Sequence, residues 1–174
     1  SMTPLQILTF YNSIANDGEM VGPKFIYSYK KPGSTNEVVY EKRILKKSIF
    51  SKKTNDILKQ MLHDVVNHEN GTAKNIKSDY LTLSGKTGTT QVDYASDDIN
   101  YISSFVGYFP ADDPKYSCIV VINKPNKTLG YYGSSVAAPV FKKIAEKIQS
   151  KSPQIKLYKK NELFNKLKLT SNSE

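Results

Sequence analysis

Apolar positions along the chain follow two different periods. They recur every three or four residues at Leu8, Tyr11, Ile14 and Ala15, at Ile57, Leu58, Met61, Leu62, Val65 and Val66, and at Val140, Phe141, Ile144, Ala145 and Ile148. That spacing predicts three amphipathic helices. The first opens on Thr3 as cap, with Pro4 in the first helical position and Gln6 completing a capping box, and Gly18 stops it. The second spans about Ser51 to Asn67, and the third runs from about Ser135 until Ser152-Pro153 breaks it, with Ala137 and Ala138 small enough for close packing on a sheet. Strand-like runs are predicted at 19–29, in a short segment at 38–45, at 81–91, and at 101–110 and 115–123. Turn formers Ala111-Asp112-Asp113-Pro114 join the last two. With 81–91 they make a three-stranded antiparallel meander, the central part of a sheet whose other strands come from elsewhere. The class is α+β, an antiparallel sheet flanked by helices.

Composition adds limits. A chain of 174 residues with 39% hydrophobic and 11% aromatic residues is within the size of one domain and can fill a core. The formal charge of +9 raises nucleic acid as a partner, but the lysines are dispersed and Arg43 is the sole arginine, so the bidentate fork used on bases and phosphates is nearly missing. A solvated lysine-rich surface fits better, and no nucleic acid is expected. One cysteine, Cys118, lies in an apolar run and reads as a buried strand residue, so no internal disulfide forms. No run of residues is apolar and long enough to span a bilayer, residue 1 begins no signal peptide, and the chain by itself reads as soluble. His63 and His68 stand five apart, without a nearby cysteine, which argues against a metal site, and no cofactor is expected. Beyond Ser150 the composition shifts, so residues 1–150 are read as the domain piece and 151–174 as a lysine-rich tail or linker.

The stretch with the most chemistry is Leu81-Thr-Leu-Ser-Gly-Lys-Thr-Gly-Thr-Thr-Gln91. Two-residue alternation puts Thr87 and Thr89 on one face, where two hydroxyls can hold one carboxylate, and Lys86 on the other. Gly88 lets a ligand lie against the backbone. Gly85-Lys86-Thr87 also matches the end of a phosphate-binding loop, but the first glycine of that motif would be Tyr80 and no helix follows, so this reading is set aside.

Lys-Thr-Gly is the third motif of the serine penicillin-recognising enzymes. The stretches Met2-Thr-Pro-Leu-Gln6, Gly71-Thr72-Ala73, Ser84-Gly-Lys-Thr-Gly-Thr-Thr-Gln91, Ser104-Phe-Val-Gly-Tyr-Phe-Pro110 and Tyr132-Gly-Ser-Ser-Val-Ala-Ala-Pro-Val-Phe141 resemble, in order, the transpeptidase domain of class B penicillin-binding proteins, covering about residues 2 to 149. The resemblance is nearer the septal, cell-division type than the elongation type. It implies a β-lactamase-like transpeptidase fold and a D,D-transpeptidase that cross-links peptidoglycan stem peptides and is acylated by β-lactams. It also implies an anchor in the cytoplasmic (inner) membrane, with the domain on the periplasmic side, and partners in the cell-division machinery. By the same resemblance Lys86 and Thr89 are the catalytic residues, and Thr87, Gly88, Thr89 and Thr90 bind substrate. Lys86 would sustain a positive field, Thr87 and Thr89 would hold the substrate's terminal carboxylate, and the Thr89 N–H would be half of the oxyanion hole. Removing such a donor costs roughly 10²–10³ in rate.

The family's other motifs, S-x-x-K for the nucleophile and S-x-N for proton handling, have literal matches in Ser28-Tyr29-Lys30-Lys31 and Ser34-Thr35-Asn36. Both are rejected. A nucleophilic serine must start a helix that brings its lysine one turn along, whereas Ser28 sits in a strand-like run broken by Pro32-Gly33. The chain therefore reads as the C-terminal part of the domain, with the nucleophile supplied by a missing N-terminal part or a separate chain, and inactive alone. A non-catalytic β-lactam-binding sensor of the same fold is the alternative, separable by deacylation kinetics. A basic interaction domain unrelated to the cell wall would instead bind nucleic acid in a salt-dependent way.

Overall fold

In the computed structural model, which describes residues 2–92 and 99–151, the first two helical stripes become the helices their period predicts. Helix α1 spans Pro4–Ala15 and begins with a complete capping box. The Thr3 hydroxyl accepts from the Gln6 N–H at 3.3 Å, and the Gln6 side chain accepts from the Thr3 N–H at 2.8 Å. Helix α2, Lys52–Asn67, is capped by the Ser51 hydroxyl. The two helices lock through Asn55, almost fully buried, whose amide donates to the Ile14 carbonyl at 3.2 Å.

Between the helices, the strand-like run at 19–29 is a strand only at its ends. Strands β1 (Met20–Val21) and β2 (Ser28–Lys30) are separated by Gly22-Pro23 and an exposed Phe25-Ile26-Tyr27. Pro23 offers no N–H to a ladder, and nothing among the described residues gives this run a buried face. The 38–45 segment likewise divides into β3 (Glu37–Val39), paired with β2, and β4 (Ile44–Lys46), paired with β1.

The meander is present as expected. Strands β5 (Ser84–Val92), β6 (Asn100–Phe109) and β7 (Tyr116–Asn123) form one antiparallel sheet in the order β5-β6-β7. Residues 93–98, between the first two, lie outside the described residues. Among the described residues neither β5 nor β7 has a second partner strand. The third helix is two pieces, α3 (Gly133–Val136) and α4 (Ala138–Lys151), so it starts two residues before Ser135. The tail read at 151–174 lies, after Lys151, outside the described residues.

Helices cover both faces of the sheet. Phe105 and Phe109 of β6 meet Phe141 of α4 with ring centroids 4.8 and 5.6 Å apart, and Val66, Ile76, Leu81 and Leu83 join this core. On the other face Tyr108 packs with Ile14 of α1 and Leu62 of α2. Alternation along β6 thus feeds two cores from one strand. Cys118 on β7 is half-buried rather than buried, at the margin of the first core. Among the described residues β7 pairs with β6 alone, so its side chains are covered less than those of β6.

Candidate functional site

The Lys-Thr-Gly segment lies within β5, and its approach is fixed from three sides. Leu81 and Leu83 are buried as their alternation predicts, yet the strand begins only at Ser84. Extending the register puts Pro110 opposite Thr82, and proline cannot donate to a ladder. The chain is held there instead by the Ala111 N–H to the Thr82 carbonyl at 2.9 Å and by the Thr82 hydroxyl to Asp112 at 2.8 Å. From α2, the Asn67 amide donates to the Leu83 carbonyl at 2.9 Å. Paired Gly85 and Gly107 then let β5 and β6 approach closely. A Cβ on Gly107 would stand 2.1 Å from the Ser84 carbonyl oxygen, and one on Gly85 2.5 Å from that of Val106.

Beyond this anchor β5 carries its polar side chains along an edge that faces no other strand among the described residues. In an antiparallel ladder alternate N–H and C=O groups of such an edge point outward, available to an extended ligand. Lys86 is exposed and its ammonium donates to the Thr87 carbonyl at 3.0 Å. It lies on the face covered by α1 and α2, at the rim of a groove of about 620 Å³ lined by Phe10, Tyr11, Met61, Val65 and His68 among others. Phe10 and Met61 are exposed there, so the groove has an uncovered apolar wall.

Thr87 and Thr89 take the opposite face. Thr87 is half-buried, whereas Thr89 and Thr90 are exposed. The Thr89 hydroxyl accepts a hydrogen bond from the Gly133 N–H at 3.0 Å. Gly88 lies beneath the Ser104 side chain, whose hydroxyl would be 2.5 Å from a Cβ at that position. Lys86, Thr87, Gly88, Thr89 and Thr90 thus share one strand, with Lys86 on one face and Thr87 and Thr89 on the other, as the two-residue alternation predicts.

Gly133 lies in the Tyr132-to-Phe141 stretch that carries part of the resemblance, but nothing in the sequence placed it beside Thr89. The fold returns this segment to β5 and β6. The Ser103 hydroxyl donates to the Tyr131 carbonyl, and the rings of Tyr101 and Tyr131 stack with centroids 4.2 Å apart. The Tyr131 hydroxyl donates to that of Tyr132 at 3.2 Å, and this bond, with the associated charge interaction and desolvation, holds the Tyr132 phenol above the ordinary tyrosine range.

The rejected motif matches sit far from helix geometry. Ser28 is in β2, its hydroxyl donating to Glu37, and the Ser34 hydroxyl accepts from the Asn36 N–H within a turn. Among the described residues no group of three or more metal-ligating side chains gathers; His63 faces Asp64 at 3.5 Å, and His68 accepts from the Asn70 N–H.

Residues 1–146 match the family model described as the penicillin binding protein transpeptidase domain. The chain is 32% identical to stage V sporulation protein D of Bacillus subtilis over 142 residues, 80% of this chain and 22% of that protein. It is also 32% identical to the peptidoglycan D,D-transpeptidase FtsI of Buchnera aphidicola over 151 residues, 84% of this chain and 24% of that protein. It thus spans about a quarter of the length of these curated relatives. Among solved structures, apo penicillin-binding protein 3 of Mycobacterium tuberculosis superposes with a TM-score of 0.73 at 29% identity, over 86% of this chain and 35% of that one. A structure of the same protein complexed with aztreonam gives 0.71 over the same shares.

Proposed function

Because this chain belongs to the transpeptidase domain family of class B penicillin-binding proteins, we propose that it contributes the Lys-Thr-Gly wall of a peptidoglycan D,D-transpeptidase active site. The observation that carries this reading is the β5 edge, with its outward main-chain groups, Lys86 on one face and Thr87 and Thr89 on the other.

A stem peptide, or a β-lactam in its place, lies along that edge as an added strand. The hydroxyls of Thr87 and Thr89 donate to its terminal carboxylate, and charge-assisted bonds of this kind are the strong ones. The reacting carbonyl then falls beside the Thr89 N–H, which faces the oxygen that becomes an oxyanion. Lys86 adds positive charge on the side from which the nucleophile comes. The nucleophilic serine lies outside this sequence, in a segment that docks on the apolar groove between α1 and α2, where Lys86 forms the rim and Phe10 and Met61 await cover. Its oxygen attacks the carbonyl and expels the C-terminal leaving amine, giving an acyl-enzyme, and the amine of a second stem peptide resolves it and restores the serine.

In this reading the intact protein is anchored in the cytoplasmic membrane with this domain on the outer side, and works with the cell-division machinery. Among the described residues no helix is long and apolar enough to cross a membrane, so the anchor lies outside them. Residues 151–174 are read as a lysine-rich tail or linker. The deciding experiment is the intact mass of this chain after excess penicillin, beside the same chain with its upstream segment restored. An adduct on the restored protein alone is expected. A stoichiometric adduct on this chain alone would make a serine within it the nucleophile and overturn the proposal.

A further inference from the structure

The Thr89 hydroxyl does not stand alone on the edge strand. It accepts the Gly133 N–H at 3.0 Å, and this is the hydrogen bond the structure gives it among the described residues. A hydroxyl has one proton to donate and two lone pairs to receive with. With one lone pair committed to Gly133, its own proton cannot point that way and turns outward. Thr89 is exposed, so the outward direction is the one from which a ligand arrives. The bond thus converts a freely rotating hydroxyl into a directed donor.

The place of Gly133 has no slack. A Cβ there would lie 2.4 Å from the Ser104 carbonyl oxygen, 2.6 Å from the Gly88 carbonyl oxygen and 3.1 Å from the Gly88 nitrogen. All three are main-chain atoms of β5 and β6, which cannot swing aside as a side-chain tip can. The residue is therefore pressed onto the Lys-Thr-Gly strand at Gly88 while its N–H reaches Thr89, and the Ser103 bond to Tyr131 holds the incoming chain two residues earlier.

We propose that Gly133 is a positioning residue for substrate recognition: its N–H orients the Thr89 hydroxyl as a donor to the anionic carboxylate of the stem peptide or β-lactam. This rests on the transpeptidase reading above and adds a residue and a role to it. A donor already aimed loses no rotational freedom on binding, so the benefit appears only for ligands that carry the carboxylate.

The test is the second-order acylation rate of the intact protein with benzylpenicillin and with its methyl ester, in which the carboxylate is masked. Gly133→Ala and Thr89→Val should each slow the acid by about 10- to 100-fold, the range of a hydrogen bond to a charged group. The added methyl at Gly133 also presses on the backbone of β5 and Thr89 lines the site, so the ester slows too, but less: the reading is the acid-to-ester rate ratio, which should fall in both variants. The double variant should lower that ratio no further than either single one, and Thr89→Ser, which keeps the hydroxyl, should retain the preference for the acid. Equal slowing of acid and ester by Gly133→Ala, or an additive fall in the ratio in the double variant, would reduce Gly133 to a packing residue. Should Gly133→Ala fail to fold, hydrogen exchange across residues 131–136 decides. The Gly133 amide should exchange faster in Thr89→Val than in the parent or Thr89→Ser, and equal protection in all three would refute the coupling. A parent protein that takes no adduct from benzylpenicillin would instead defeat the transpeptidase reading, while the exchange measurement would still report on the Gly133–Thr89 bond.

Discussion

Replacing Gly107 with alanine isolates what the close approach of β5 and β6 contributes. The added methyl would stand 2.1 Å from the Ser84 carbonyl oxygen, 2.9 Å from the Gly85 Cα and 3.1 Å from the Ser84 carbonyl carbon, the first more than 1 Å inside ordinary contact. Every one of these atoms is backbone, so relief requires moving β5 away from β6 at its first residues. Overpacking a filled site costs typically about 1–3 kcal/mol, and with backbone on both sides of the collision the upper end, about 3 kcal/mol, is the expectation. For a domain of this size that is a fall of roughly 6–12 °C in the unfolding midpoint. Gly33→Ala is the control. It has a φ of +76° with no atom within 4 Å of its Cβ, so it should lose only about 1 kcal/mol from backbone strain. Calorimetry of the intact protein, following the transition of this domain, measures both. Ser84 lies two residues before Lys86, so Gly107→Ala should also slow penicillin acylation well below its melting temperature, while Gly33→Ala should not. A midpoint for Gly107→Ala equal to that of the control, with parental acylation, would refute the idea that this glycine pair sets the position of the motif.

Two further outcomes are expected. Lys86→Ala in the intact protein should lower the acylation rate sharply while shifting stability by less than about 0.5 kcal/mol, because the side chain is exposed; acylation kinetics and a melting curve check both, and parental acylation would remove Lys86 from the site. Burial pushes the Cys118 thiol up from its ordinary range, so its native pKa lies above its unfolded one, the thiol stays protonated at neutral pH, and this contribution to stability is lost as pH rises past the unfolded value. Its reaction with a thiol reagent, compared with the same chain in denaturant, should be slow at pH 7 and accelerate only in alkali; equally fast labelling of both states would contradict that placement.

Local chemistry carried much of the structure into the sequence. The capping box of Thr3 and Gln6, the 3.6-residue stripe of α2 and the turn at Ala111-Asp112-Asp113-Pro114 each act within a few residues, so they were legible without a fold. So were the division of Lys86 from Thr87 and Thr89, which follows from the two-residue period of any strand, and the family, through its short motifs in order. Other features depended on what lies opposite in space. Strand β5 starts at Ser84 and not at Leu81 because Pro110 interrupts the ladder across from it, and the run at 19–29 breaks into two short strands for want of a face to bury. Cys118 is half-buried because, among the described residues, β7 has a partner strand on one side only. Gly133 lies 44 residues along the chain from Thr89, and Asn67 is 16 from Leu83. Hydrogen bonds across such distances leave no period in a sequence, because they form only after the sheet and its covering helices have brought the partners together.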